Sequence, residues 1–386
     1  KRLQLLAWML TLTMLCELLP FGAFAQSDVG QQLALAAAQS LEEENGEATI
    51  IGKCGDNLQW SLSSDGVLTI DGTGEMDDYV YVHGSVDRPW SDYLSDIKTV
   101  VISSNTTHIG NFAFWNCIYL HSVILPESIV SIGSSAFSAC ESLTSIDIPA
   151  SVNSIQSDTF SYCKKLASIT IPSSVTSIGS SAFECCTSLA TINIPDSVTS
   201  IGEHAFDSCS SLTSIDIPKS VIFIGEDAFS STSLSVIDIP ESVTSIEPFT
   251  FRDCIVLASV HLPSSLVSIG AEAFTSCSAL SSVNIPNGVK SIGENAFSEC
   301  TSLNSITIPS SVTSLGELVF AGCTSLTSIS LPDSIGSIPP RAFDSCSNLT
   351  SVNISSGITT IGGRAFYDCI SLSSITIPDS VTSIES

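Results

Sequence analysis

The chain has 386 residues, with 12 Lys and Arg against 39 Asp and Glu, a formal net charge of -27, and 13% charged against 44% hydrophobic residues. An acid excess of this size lacks the basic patches that displace counterions from a polyanion, which excludes nucleic acid as a partner. The wealth of Ile, Val, Leu and Phe excludes disorder, and a surface so poor in charge must be carried by Ser and Thr.

Lys1 and Arg2 precede an apolar stretch from Leu3 to Leu15, then Pro20, then Ala23-Phe24-Ala25 before Gln26. This order predicts a secretory signal peptide over 1–25. Cys16 follows Leu15 rather than a small residue, so lipid attachment is not expected. Cleavage after Ala25 would leave an odd number of Cys, which a fully paired disulfide framework cannot absorb. Past residue 25 no apolar run is long enough to span a bilayer. Residues 26–46 read as a linker, and 47–102 as a small N-terminal β cap. Leu58, Trp60 and Leu62 alternate with polar residues, as do Val67 and Thr69 across Ser64-Asp65-Gly66, which is a hairpin pattern. Trp90 is expected to cover the open end of the first coil. The acidic run Asp71–Asp78 lacks the ligand spacing of a calcium loop and reads as a solvated turn.

From residue 103 to 386 the sequence repeats. Phe114, Phe137, Phe160, Phe183, Phe206, Phe229, Phe251, Phe274, Phe297, Phe320, Phe343 and Phe366 recur in ten steps of 23 residues and one of 22. The missing residue lies in Thr232-Ser233-Leu234, one shorter than Cys209-Ser210-Ser211-Leu212. In one unit, Leu212 to Ile217 alternates apolar and polar residues and predicts a half-buried strand that Pro218 ends. Val221 and Ile224 predict a second, shorter extended piece facing inward, and Gly225 permits a turn. Phe206, Cys209 and Leu212, spaced i, i+3 and i+6, predict one face of a short helical turn. No single unit can bury this pattern alone, so stacking is required. The fold class is therefore a repeat solenoid, α/β in kind: about twelve 23-residue coils with a parallel β-sheet and short helical turns, preceded by the small β cap.

The pattern Leu-x-x-Ile-x-Ile-Pro-x-x-Val-x-x-Ile-Gly-x-x-Ala-Phe-x-x-Cys resembles the BspA-like leucine-rich-repeat family of surface proteins over roughly residues 98–386. Departures are Ser355 for the Pro, Gln156, Glu247 and Pro339 for the Gly, and Thr232 for the Cys. The cap, from Cys54-Gly55-Asp56-Asn57-Leu58-Gln59-Trp60 to Asp65-Gly66-Val67-Leu68-Thr69-Ile70, looks like the module that often introduces such arrays in gut and oral bacteria. The resemblance implies an adhesin or interaction surface at the cell surface or secreted, with protein ligands such as host extracellular-matrix or plasma proteins, or other microbial cells. Periodicity alone implies a scaffold, so a passive stalk displaying a further C-terminal domain is the alternative. The chain stops within a thirteenth unit, before its turn, which predicts truncation of the array at Ser386.

No catalytic role is expected. A repeat gives each column one environment many times over, whereas catalysis needs groups whose environments differ. The chain has no G-x-S-x-G, G-x-G-x-x-G, C-x-x-C or H-E-x-x-H motif. His83, His108, His121, His204 and His261 fall in different phases. No cofactor or metal is expected either. Cys117, Cys140, Cys163, Cys186, Cys209, Cys254, Cys277, Cys300, Cys323, Cys346 and Cys369 share one phase. A line of thiols cannot surround one zinc tetrahedrally. Bridges between rungs are conceivable, but parallel Cβ vectors about 4.8 Å apart exceed the usual disulfide spacing of about 3.8 Å. Buried thiols acting as small apolar filler are expected instead, with Cys185 off phase and more exposed. Candidate ligand contacts lie outward on the main strand, at Asp147, Thr170, Asn193, Asp216, Asp238, His261, Asn284 and Thr307, beside a second column of Ser and Thr. This face lacks the Trp, Tyr and Arg that dominate tight interfaces, which predicts modest, multivalent affinity by a monomeric rod.

Overall fold

The computed structural model describes residues 50–386, and the signal peptide and linker expected over 1–46 lie outside the described residues. In the cap, β1 (Ile50–Lys53), β2 (Leu58–Leu62) and β3 (Val67–Gly72) form an antiparallel meander. Gly66, at φ 91°, supplies the left-handed residue of the β2–β3 turn. After β4 (Gly74–Glu75), a small hairpin is formed by β5 (Tyr81–Val82) and β6 (Ser85–Val86). Then β7 (Thr99–Ile102) pairs in parallel with β3, and β8 (Thr106–Ile109) with β4. The cap thereby contributes both strands of a coil that precedes the first repeat.

Each repeat then makes the same circuit. In Ser214–Asp216 the Ile215 side chain is buried between two exposed neighbours, as alternation requires. Pro218 ends the strand, and its carbonyl accepts the Val221 N–H at 3.0 Å, which turns the chain into the short strand Phe223–Ile224. Neighbouring coils pair in parallel without slip, for example Thr191↔Ser214 and Asn193↔Asp216. Register is fixed because a one-residue shift would put every Ile outside. Inside, Phe114 to Phe343 are fully buried, and the ring column down to Phe366 stacks at 5.3–5.8 Å.

The expected helical turns are absent. Among the described residues the one helix is a 3-10 turn at Ser91–Tyr93 in the cap. Around each Phe the residues two before and two after take left-handed backbone, such as Asp227 (φ 52°) and Ser231 (φ 57°) flanking Phe229. Single i→i+3 bonds survive, as from Cys209 N–H to the Phe206 carbonyl at 3.2 Å, but no helix can propagate through left-handed residues. The conformation aims alternate N–H groups at the next coil instead. Phe206 donates to the Ala228 carbonyl and Ser208 to the Ser230 carbonyl, both at 2.9 Å. These bonds offset the strain of non-glycine residues at positive φ.

A third feature concerns the Gly column. Gly202 has an ordinary φ, and it is required by close approach: a Cβ there would lie 2.5 Å from the Ser180 nitrogen of the preceding coil. Its own N–H reaches the Ile178 carbonyl at 2.9 Å. The interior coils bearing Gln156, Glu247 or Pro339 at this phase are those whose second strand loses its ladder to the preceding coil. The hydrogen-bonded sheets end at Ser131–Ile132, Phe223–Ile224 and Ser314–Leu315. The main-strand ladder opens at the same three junctions, after Ser122–Ile124, Ser214–Asp216 and Ser305–Thr307, and again after Ser259–His261 and after Ser351–Asn353. The turn-side ladder runs through all three, with Phe137 N–H on the Thr159 carbonyl, Phe229 on Thr250 and Phe320 on Ala342 at 2.9–3.0 Å. Glu385, in the last coil, keeps its bond to Ile361 at 2.9 Å; that coil packs against a neighbour on one side only among the described residues, so it can shift to admit the Cβ.

At the start of the turn-side ladder three carbonyls of the first coil face the cap with no preceding turn to fill them. Tyr79 N–H bonds the Asn111 carbonyl at 3.1 Å, and the Trp90 indole N–H the Ala113 carbonyl at 2.8 Å. The buried Arg88 guanidinium fills the third, at Trp115, and also reaches the Phe112 carbonyl, which already accepts the Trp115 N–H. Trp90 is fully buried and stacks on Phe114 at 5.6 Å, continuing the ring column.

Candidate functional site

The outward strand columns form the most extended regular surface. Asp147, Thr170, Asn193, Asp216, Asp238, His261, Asn284 and Thr307 are all exposed, each beside a buried Ile or Val. Parallel pairing sets them side by side at about 4.8 Å, in the rows Asp147–Thr170–Asn193–Asp216, Asp238–His261 and Asn284–Thr307. The second open junction separates Asp216 from Asp238, where Glu247 replaces the Gly, whereas the break between His261 and Asn284 falls between coils that keep Gly270 and Gly293 and lose only the main-strand ladder. Within the second row the His261 imidazole contacts the Asp238 carboxylate. At the head of the first, partial burial raises the pKa of Asp147 above the usual carboxylate value. The rows offer hydroxyl, amide and carboxylate groups on a flat face, suited to polar contacts and short of apolar anchors.

The column thiols face the opposite way. All eleven are buried, and every described Cys is a free thiol. They do more than fill space, because from Cys140 onward each donates to the Phe carbonyl of the preceding coil, as Cys209 Sγ does to Phe183 at 3.1 Å. The same carbonyl already accepts a backbone N–H, so the thiol uses its second lone pair. Burial pushes the thiols of Cys117, Cys163 and Cys300 up to about 12, which keeps them protonated as donors and poor nucleophiles. Thr232 breaks the pattern by donating to Phe229 of its own coil at 2.9 Å. Cys185 is half-buried, and burial raises its thiol as well.

Two polar clusters escaped sequence reasoning because their members come from different phases. His108 places Nδ1 2.7 Å from Ser131 Oγ and Nε2 3.3 Å from Asp78 Oδ1, beside a cleft of about 680 Å³ also lined by Asp56, Glu75 and Asp77. Asp78 Oδ1 also accepts the Asn111 N–H at 2.7 Å, so this cluster ties the cap to the first coils. On the turn side, Arg252 Nη2 lies 3.3 Å from the buried Asp227 and the guanidinium stacks 4.7 Å above Phe249. That pair bridges the second open junction. Burial raises the Asp227 pKa, opposed by the Arg252 and His204 charges. Among the described residues no group of three or more His, Cys, Asp and Glu converges to hold a metal ion, and no helix is long and apolar enough to cross a membrane.

Comparison with known proteins places this geometry. A family model described as the BspA type leucine rich repeat region matches in six copies over residues 92–210, 176–290 and 267–386. No curated protein matches the chain. Among solved structures, a leucine-rich repeat protein from Bacteroides ovatus ATCC 8483 is 27% identical, with 86% of this chain and 90% of that one covered at a TM-score of 0.71. A leucine rich cell surface protein from Faecalibacterium prausnitzii A2-165 is 31% identical, covering 86% of this chain and 100% of that one at a TM-score of 0.51. A leucine-rich repeat protein from Eubacterium ventriosum ATCC 27560 is 26% identical, covering 88% and 94% at a TM-score of 0.54. With its repeat period, in-register coils and matched residues, the chain belongs to the BspA-type leucine-rich-repeat family.

Proposed function

We propose that this chain is an exported cell-surface binding protein that attaches to a protein ligand, on a host or on another cell, through its outward strand columns and without catalytic turnover. The observation that carries the reading is the main-sheet face from Asp147 to Thr307, on which exposed polar side chains stand in registered rows beside the buried Ile and Val of the same strands. Stacked repeats of this kind present extended binding surfaces, and one similar protein is named as a cell surface protein. Because the body is acidic, the ligand either meets the neutral Ser and Thr rows or brings a basic patch, and salt dependence separates the two.

The test is a binding screen of extracellular-matrix proteins, plasma proteins and whole bacterial cells. It compares the parent with a variant carrying Asn193→Lys, Asp216→Lys and Asp238→Lys. All three positions are exposed, so the fold should survive, and the melting temperature verifies this. Loss of binding by the folded variant is expected. If it binds as well as the parent, the strand face is not the site; if the parent binds nothing, the stalk reading takes its place.

A further inference from the structure

Exposed apolar side chains that the repeat does not demand occur along the rod, as at Ile222–Phe223 and Ile255–Val256, and at the corner between the cap and the first coil they adjoin half-buried aromatic rings. The β5–β6 hairpin and the residue before it expose Val80 (66%), Tyr81 (49%) and Val82 (50%). The Tyr81 ring meets Trp115 edge-on at 5.3 Å and lies over Phe112 at 6.3 Å, and both partners are only half-buried. Phe112 and Trp115 stand two residues before and one after Phe114. No other coil has aromatic residues at both positions: Ser135 with Ser138, Ser181 with Glu184, and His204 with Asp207 are representative. Phe112 moreover holds a left-handed backbone, φ 55°, which disfavours a bulky side chain. The solenoid therefore tolerates this pair without requiring it, and covering the coil does not require three apolar side chains turned to water above it.

The rim of the corner identifies the occupant. Asp77 and Asp78 precede the hairpin, Asp87 follows it, and all three are exposed. Arg88, the adjoining cation, is buried against backbone carbonyls. Asp77 and Asp78 line the adjoining His108 cleft, where Asp78 is bonded to His108 and the Asn111 N–H. An aromatic corner flanked by these carboxylates and by Asp87 complements a basic segment that carries apolar side chains. A second copy of a chain with net charge -27 would instead bring acid against acid.

We infer that the corner formed by Val80, Tyr81, Val82, Phe112 and Trp115 is a docking site for a basic, apolar-bearing segment of a partner protein, a contact separate from the strand face. The inference rests on the protein-binding reading. The probe is a fluorescent peptide of alternating Arg and Leu, with Glu/Leu and Arg/Ser peptides as controls, titrated against the full chain. Binding of the Arg/Leu peptide alone is expected, weakened by salt and accompanied by a blue shift in Trp emission that Trp115→Phe removes. Val80→Ser with Val82→Ser should weaken it about tenfold without changing the melting temperature, since both side chains are exposed. Asp87→Asn, which leaves the Asp78–His108 contact in place, should flatten the salt dependence. Equal binding of the Arg/Ser peptide, no binding of the Arg/Leu peptide, or full affinity in the folded valine variant overturns the corner site. So does self-association that the valine changes abolish, which would assign the corner to a second copy. A matrix or plasma ligand that the valine variant still captures, and the Lys variant does not, leaves the protein-binding reading standing while the corner falls.

Discussion

Coils that carry Gly after the second strand and the three interior coils that carry Gln156, Glu247 or Pro339 share one core and differ in what holds them together. A closed coil such as that of Gly202 is joined to its neighbour by main-strand, second-strand and turn-side ladders. An open junction keeps the turn-side ladder and the ring stack and loses both strand ladders. Ring spacing there is 5.7–5.8 Å, at the wide end of the range, although the closed pair Phe297–Phe320 also reaches 5.8 Å. Cohesion of the second strands thus depends on an absent Cβ and, at Pro339, on an N–H that proline lacks, and cohesion on the turn side depends on neither. Two of the three junctions also have a compensation of their own. Thr159 and Thr250, where neighbouring coils have Ala, donate to the Gln156 and Glu247 carbonyls at 2.8 Å, and Asp227 with Arg252 clamps the second junction.

The largest expected effect tests whether the turn side unites both kinds of coil. The column thiols lie on that side throughout. Burial keeps the folded thiols protonated where those of the unfolded chain ionise, near about 8.5. Folded chains then hold more protons, so the stabilisation is intact below that pH and falls as pH rises towards about 12. Each thiol contributes up to about 1.4 kcal/mol per pH unit, and the column on the order of 10 kcal/mol per unit. A single steep alkaline unfolding transition, followed by circular dichroism under reducing conditions, is expected. Flat stability from pH 8 to 11 would sink the account, and several separate transitions would show that the junctions isolate blocks.

A smaller effect tests the close-approach argument directly. Gly202→Val drives a side chain into the Ser180 and Gly179 backbone and should cost about 3 kcal/mol, with faster hydrogen exchange at the Gly202 amide. The same residue introduced as Gln156→Val, at an open junction, should change stability by less than about 0.5 kcal/mol. Equal costs at the two positions would remove the distinction between the coils.

Much of this was legible before any coordinates. Inward residues recur in every unit, so Ile215, Val221, Ile224, Phe229 and Cys209 could be assigned to the core by period alone, and Trp90 to its open end. The departures Gln156, Glu247 and Pro339 were equally visible, but their consequence was not, because a Gly chosen for close approach looks the same in sequence as a Gly chosen for a turn. The turn conformation was hidden for a similar reason. Left-handed positions hold Asp227, Ser231, Tyr162 and Glu272 with no common residue type, while the i, i+3 spacing of Phe and Cys fits a helix as well as the observed turn. Thiol donation to a carbonyl needs a measured distance. Arg88 and Asp78 lie in the cap, outside the repeat, where no column could announce a role for them. For the strand face, sequence placed the eight candidate residues in one column; the break after Asp216 coincides with Glu247, and the break after His261 has no departure at the Gly position to mark it.

The smallest expected effect concerns repair of an open junction. The Gln156 side chain is exposed, so besides the Cβ that keeps its strand from Ile132, Gln156→Gly removes one exposed hydrogen bond, from Nε2 to Ser154 Oγ at 2.8 Å. The freed N–H could then reach the Ile132 carbonyl, as Gly179 reaches Ile155 at 2.8 Å. One or two ladder bonds at about 1 kcal/mol each are opposed by the backbone entropy of a new Gly, about 0.5–1 kcal/mol, leaving a net gain below about 1 kcal/mol. Thr159→Ala alone should cost about 1 kcal/mol, because the Gln156 carbonyl loses its hydroxyl donor. In the Gln156→Gly background the same change should cost less, since closed coils manage with Ala at this phase, as Gly202 does with Ala205. Thermal melts of the two single variants and the double variant form a cycle, and a coupling of about 0.5 kcal/mol in this direction is expected. Strict additivity would mean that the Thr hydroxyl supports its own turn whether or not the strands meet, and the junctions would then owe nothing to the exchange of Gly for a residue with a Cβ.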